Sequence, residues 1–229
     1  MSNFKKLFEQ TLQTDYPKSI DWDLVGILTR SSKVYTLSYD SKILSGIFEI
    51  LCEPIIKSIC EKKNWELEKG VQNQYPEFTI YSKNSPNKKI AVDIKSTYRQ
   101  RKANGELKSF AFTLGSYRSY LQDTKGEKGI LYPYKQYIEH WIIGFIYDRN
   151  PNCRVTDIKA IIDASKLEPP YSNIEYFIQE KFKIAGKFKG SGNTTNIGSI
   201  KSNDLNDFIA GNGPFKSKEE FELYWKNFT

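Results

Sequence analysis

Two acidic residues and a lysine, Glu77, Asp93 and Lys95, have the types and the spacing to act together on a phosphate. Asp93 and Lys95 stand two apart in Ile90-Ala91-Val92-Asp93-Ile94-Lys95-Ser96-Thr97, which has the alternation of a strand. Side chains i and i+2 of a strand share a face, so Asp93 and Lys95 point together while Val92 and Ile94 take the apolar side. Glu77 precedes a second strand-like run, Phe78-Thr79-Ile80-Tyr81, and the segment from Ser82 to Lys89 between the two runs is rich in turn formers. That pattern predicts a hairpin-like connection bringing Glu77 beside Asp93. Magnesium takes oxygen ligands in an octahedron at about 2.1 Å, typically one or two carboxylates completed by water and substrate phosphate oxygens. A cation so held polarises a phosphoryl oxygen and orients an in-line attack on phosphorus. Lys95 adds positive charge where the transition state gathers negative charge, or positions the attacking water. The plainer alternative is an exposed hairpin with solvated charges, because an acid-x-Lys triplet alone is common. The apolar residues flanking Asp93 and Lys95 argue against a fully solvated strand.

Two loops add a second kind of chemistry. Gly190-Ser191-Gly192-Asn193-Thr194-Thr195-Asn196-Ile197-Gly198-Ser199 is small, polar and glycine-spaced. Its main chain can approach a ligand closely, and its amides and hydroxyls offer both donors and acceptors, which suits base edges in a major groove. It lacks the lysine of a phosphate-binding Walker loop, and a plain surface loop has the same composition. Gln72-Asn73-Gln74, just before Tyr75-Pro76-Glu77, offers amides to a minor groove or to DNA backbone, or forms a simple turn.

The elements that must position these residues are legible as periodicities. Phe4, Leu7, Phe8 and Leu12 predict a first amphipathic helix, and 24–28 with 33–37 a short hairpin. Asp40 or Ser41 caps a long helix whose buried side carries Ile43, Leu44, Ile47, Ile50, Leu51, Ile55 and Ile59, with Glu49 beside that stripe and a kink at Pro54. Strands are predicted at 65–68, 78–82, 89–97, 109–115 and 141–149, and short helices at 115–122 and 135–139. The polar, proline-bearing stretch 150–172 is expected to be a flexible subdomain junction. Beyond it, 174–178 and 181–185 read as strands and 217–228 as a terminal helix. The mixture is α/β without internal repeats.

Composition sets the outer limits. A chain of 229 residues, 39% hydrophobic, can bury the core of one large domain. Thirty-four basic against 27 acidic residues give a net charge of +7, which favours a polyanionic partner. Cys52, Cys60 and Cys153 have neither metal-ligand spacing nor a paired framework and are expected to be reduced thiols. The longest apolar run, from Trp141 to Tyr147, falls far short of the ~20 residues of a membrane span, so a cytoplasmic protein without a membrane partner is expected. The lone histidine, His140, precedes an apolar strand and is expected to be a packed or capping residue rather than a catalytic base.

Taken together, Lys42-Ile43-Leu44-Ser45 with Ile47-Phe48-Glu49, Tyr75-Pro76, Asp93-Ile94-Lys95, His140-Trp141-Ile142-Ile143-Gly144 and the loop from Gly190 to Ser199 resemble type II restriction endonucleases of the PD-(D/E)XK nuclease superfamily. The likeness covers nearly the whole chain. It implies an α/β fold, with a restriction-endonuclease-like core in which helices flank a central mixed β-sheet, plus a DNA-recognition subdomain. Residues 1–150 would form the dimerisation and catalytic core. Residues 151–229 would carry recognition loop 190–199, the whole being one integrated domain. It further implies a homodimer straddling double-stranded DNA, with Mg2+, or Mn2+ in its place, as cofactor. Glu77, Asp93 and the accessory carboxylate Glu49 would be metal ligands, and Lys95 the catalytic lysine beside them. Gly190, Gly192, Asn193 and Thr194, with Ser191 between them, match the major-groove reading loop, and Asn196 a residue supporting it. Gln72 and Asn73 match a minor-groove loop. Ser96, Thr97 and Ser119 match positions near the central step or the DNA backbone, and Lys42 counts with them among the DNA contacts. The expected target is the palindrome GATATC, cut bluntly at its centre.

Three departures qualify that expectation. The family pattern has aspartate after the proline, where this chain has Glu77, and magnesium tolerates displaced ligands poorly. The alternative is therefore a catalytically weakened or silent DNA-binding protein of the same fold. Val71 replaces a glutamine of the minor-groove loop. The sequence ends at Thr229 without the basic tail of such enzymes, which predicts weaker binding with a lower salt dependence.

Overall fold

A computed structural model of the protein describes residues 3–16, 22–71, 74–123, 125–190 and 195–229. In chain order its elements are α1 (Phe4–Asp15), β1 (Gly26–Leu28), β2 (Lys33–Thr36), α2 (Ser41–Lys63), β3 (Trp65–Lys69), β4 (Phe78–Ser82), β5 (Lys89–Tyr98), β6 (Thr113–Ser116), β7 (Tyr137–Arg149), β8 (Ile158–Ala160), β9 (Tyr171–Glu180), α3 (Lys181–Ile184), β10 (Ala185–Lys189), β11 (Asn196–Ser199), α4 (Asn206–Ala210) and α5 (Lys218–Lys226). Five strands form a central mixed sheet in the order β3-β4-β5-β7-β9, parallel between β5 and β7 and antiparallel elsewhere. Two three-stranded sheets accompany it, β1-β2-β8 and β10-β11-β6. Among the described residues no helix is long and apolar enough to cross a membrane.

Strand alternation divides the core into two layers. Ile90, Val92 and Ile94 of β5 and Trp141, Ile143, Phe145 and Tyr147 of β7 face α1 and α2, where Phe48 stacks on Phe145 at 4.4 Å. Ile142 and Ile146 face the other way and join Phe112, Phe177, Ile197, Phe208 and Trp225. Each buried large apolar side chain contributes about 1.5–3 kcal/mol. Asp93 and Lys95 therefore leave the sheet on the face away from α1 and α2. Opposite Lys95 in register is Gly144, whose own partner is Phe177, and a Cβ added there would lie 2.1 Å from the Phe177 ring. Only glycine leaves room for that ring.

Helix α2 starts where Asp40 accepts a hydrogen bond from the Lys42 amide (2.8 Å) and stops at Asn64 in the left-handed region, φ 52°. The helix runs past Pro54, where a kink is expected, to Lys63. Other expectations are corrected. Ile43 and Ile50, expected on its buried side, are exposed at 41% and 63%, because the core side runs through Leu44, Ile47, Phe48, Cys52, Ile55 and Ile59. The helix expected at 135–139 is a single 3-10 turn, Tyr134–Gln136, after which β7 begins at Tyr137. The turn at 115–122 is a short π-helix, Arg118–Gln122, and β6 is confined to Thr113–Ser116. Lys181–Ile184 is one helical turn rather than strand. The stretch 150–172 contains β8, which pairs with β2, and a 3-10 turn, Ile161–Lys166.

Candidate active site

The β4–β5 hairpin brings the three central residues together. Phe78 of β4 pairs with Val92 of β5, so Glu77, one residue before β4, lies level with Asp93 and Ile94. Its segment is tied down on both sides: Gly70 N donates to Glu77 O (3.1 Å), Tyr75 N to Gly129 O (2.9 Å) and Leu131 N to Tyr75 O (2.8 Å). The Glu77 carboxylate accepts from Ile94 N at Oε2 and from Lys95 Nζ at Oε1, both at 3.2 Å. Lys95 Nζ also lies 2.7 Å from Asp93 Oδ2. That contact is an ion pair without hydrogen-bond geometry, leaving Asp93 Oδ2 a buried acceptor with no hydrogen bond among the described residues. Asp93 is nearly inaccessible, at 2% of its side chain, while Glu77 and Lys95 each keep 22%.

These groups line an open cleft of about 520 Å³ together with Glu49, Lys69, Val71, Gln74, Tyr75, Gly115 and Tyr120. Glu49 projects from α2, and burial holds its carboxyl above the usual range. The Lys95 and Lys69 charges oppose that rise, and the Asp93 charge adds to it. On the far wall Tyr75 stacks on Tyr120 at 4.8 Å, and the Tyr75 hydroxyl hydrogen-bonds His140 Nδ1 at 2.7 Å. Burial, with the Lys181 and Lys218 charges, pushes His140 well below its ordinary value, so the ring is neutral. His140 is thus a packed residue that anchors Tyr75, two residues before Glu77.

Comparison with known proteins gives this arrangement its context. The sequence profile of the family described as restriction endonuclease EcoRV matches residues 18–229. The chain belongs to the EcoRV restriction endonuclease family. It is 44% identical over 216 residues to the type II restriction enzyme EcoRV of Escherichia coli, covering 93% of this chain and 85% of that protein. Membership of the EcoRV family makes the protein a type II restriction endonuclease, a site-specific deoxyribonuclease, and agrees with the mixed sheet flanked by helices.

Restriction endonucleases generally depend on a divalent metal. Among the described residues no three acidic, histidine or cysteine side chains converge as a ready-made metal cage. Two carboxylates do meet through Lys95, and the orphaned Asp93 Oδ2 is the oxygen acceptor that a hard cation takes. A site of two protein carboxylates completed by water and phosphate fits a cation such as magnesium, so the residues present suit an EcoRV-family cofactor.

The remaining EcoRV-like positions are spread around this centre. Ser96 and Thr97 continue β5 beyond Lys95, opposite Phe145 and Ile146. Ser119 lies in the π-helical turn, its amide donating to Ser116 Oγ (3.2 Å), and Lys42 is exposed in the first turn of α2. None of these four lines the cleft. Gly190 and Asn196 close the neck of the glycine-rich loop through Gly190 N to Asn196 O (2.8 Å), and Asn196 pairs with Ser116 of β6. Ser191, Gly192, Asn193 and Thr194 fall outside the described residues, as do Gln72 and Asn73. Sequence reasoning passed over Tyr120, Gly115, Lys69 and, behind the tyrosines, Lys181.

Proposed function

We propose that this enzyme hydrolyses phosphodiester bonds in double-stranded DNA at the palindrome GATATC, bluntly at its centre, acting as a homodimer with magnesium in the cytoplasm. The observation that carries this reading is the cluster of Glu77, Asp93 and Lys95 at one cleft, on one sheet face, in a chain of the EcoRV family. Glu77 and Asp93, with Glu49 behind them, would hold the cation. Bound there, the cation supplies charge neutralisation at the phosphate and a more acidic water. Lys95 contributes the rest: its ammonium is held by both carboxylates, faces the cleft and stabilises negative charge at the phosphate as water adds and the leaving sugar oxygen departs. Held in this way it needs little reorganisation when charge develops.

DNA contact is assigned to loop 190–199, to 72–73 and to Lys42, Ser96, Thr97 and Ser119. Residues 1–150 are taken as catalytic and dimerisation core and 151–229 as recognition subdomain. The homodimer reading is supported by the β1-β2-β8 sheet, whose Ile27, Leu28, Ile158 and neighbouring Ile162 are exposed apolar residues. Incubation with plasmid carrying one GATATC site in magnesium buffer tests the proposal. Linearisation at that site supports it, and an intact plasmid at every enzyme concentration overturns it.

A second reading, a specific DNA-binding protein with weakened catalysis, is favoured by one observation. Glu77 stands where the family pattern has aspartate. Specific duplex binding without cleavage, restored to cleavage by Glu77→Asp, would establish it.

A further inference from the structure

Lys181 is one of the most deeply buried side chains in the protein, 1% exposed, and its ammonium has no hydrogen-bond partner among the described residues. It lies behind the wall of the cleft. Asp93 is level with Ile142 of β7, and Ile142 with Gln179 of β9, so these three form one row on one sheet face. Lys181, the first residue of α3 just past the end of β9, packs against the tyrosine pair behind that row. Its Nζ sits 4.6 Å from the centre of the Tyr75 ring and 5.5 Å from that of Tyr120, the stacked pair that lines the cleft. A Cβ on Gly115, another lining residue, would stand 3.8 Å from the same nitrogen. Burying an ammonium without a hydrogen bond opposes folding, and cation–π contacts recover only part of that loss. A methionine would fill the space without the cost. Burial lowers Lys181 to about 8, the Asp93 charge pulling it back up, so it stays mostly protonated at neutral pH.

We propose that Lys181 is a positioning residue of the cleft, a fixed positive charge behind Asp93 that disfavours a lone divalent cation and favours the DNA phosphate with which that cation works. The inference rests on the proposed reading of the cleft as the metal and phosphate site. Lys181 touches neither ligand; it acts through the field it sets across Tyr75 and Tyr120. A unit charge roughly 10 Å from an ion in a partly desolvated site changes its affinity by roughly three- to tenfold.

Three measurements on Lys181→Met, close in shape but uncharged, test this: calorimetric titration of Mn2+ into the DNA-free protein, fluorescence anisotropy with a labelled GATATC duplex in EDTA, and thermal unfolding. Mn2+ binding should tighten roughly three- to tenfold, metal-free duplex binding should weaken by a similar factor, and Tm should hold or rise. Unchanged affinities for both, whatever the Tm, would overturn the proposal and leave Lys181 a packing residue. Should the methionine variant not fold, Lys181→Gln carries the same test. Asp93→Asn in the same titration separates the two levels of the argument. If it still binds Mn2+ as tightly as the unaltered protein, it is the placement of the metal site that fails, and the role of Lys181 falls with it.

Discussion

Replacing Glu77 with aspartate restores the residue type of the wider family, yet in this protein it should reduce cleavage. The substitution withdraws the carboxylate by one carbon–carbon bond, about 1.5 Å. Both of its contacts, to Ile94 N and Lys95 Nζ, are already at 3.2 Å. Withdrawal by that length takes both past the ~3.2 Å limit of an N–H···O hydrogen bond. The main-chain hydrogen bonds that tie Gly70 to Glu77, and Gly129 and Leu131 to Tyr75, resist a compensating shift. Each contact involves a charged group and contributes about 1.5–3 kcal/mol. Losing the equivalent of one lowers the rate roughly 10- to 100-fold, at about 1.4 kcal/mol per factor of ten. Glu77→Gln keeps the length and the acceptor for Ile94 N but removes the charge facing Lys95. It should cost about 3 kcal/mol, a factor of about 100 or more, after allowing for partial exposure. Single-turnover cleavage of an end-labelled GATATC duplex reads both rates, and duplex affinity in Ca2+ should stay within about threefold, so that the loss lies in the chemical step. Aspartate cutting as fast as glutamate, or faster, would show that the site is not built around Glu77 and would favour the weakened-enzyme reading.

Two further outcomes follow from the packing. His140 is held neutral in the fold, well below its ordinary value, so the unfolded chain binds a proton more readily and stability falls as pH drops below about 6.5. Thermal unfolding from pH 7 to 5 should show a fall of up to about 1.4 kcal/mol per pH unit from this group, flattened in His140→Gln; an unchanged slope in the variant would exclude the histidine as its source. Gly144→Ala places a methyl against the Phe177 ring and should cost about 1–3 kcal/mol, visible as a lower Tm, and an unchanged Tm would mean that Phe177 can move aside.

The strand alternation around Asp93 and Lys95 was legible in the sequence because a period of two is a local property, and the turn residues from Ser82 to Lys88 fixed which strand Glu77 would meet. The cap at Asp40 and the core stripe of α2 were legible for the same reason. What escaped was decided at long range. Ile43 and Ile50 are as apolar as their neighbours, and only the docking direction of α2 leaves them exposed. Lys135 to Glu139 has helical composition, but pairing with β5 draws the chain into β7 after one turn. Lys181 looked like one more lysine in a basic chain, and its burial depends on β9 lying beside β7, which no local pattern announces. The glycine-rich loop was conspicuous by composition, while its neck depends on the pairing of Asn196 with Ser116, eighty positions away in the chain.

The most direct test of the cleft as the cutting site compares the unaltered enzyme with Asp93→Asn on a duplex bearing one GATATC site, with mapping of both strand ends in magnesium buffer. The unaltered enzyme should give two blunt fragments and leave a duplex with one base pair of the site changed intact, and Asp93→Asn should bind the site but leave it uncut. Cleavage by Asp93→Asn at the unaltered rate would contradict this assignment.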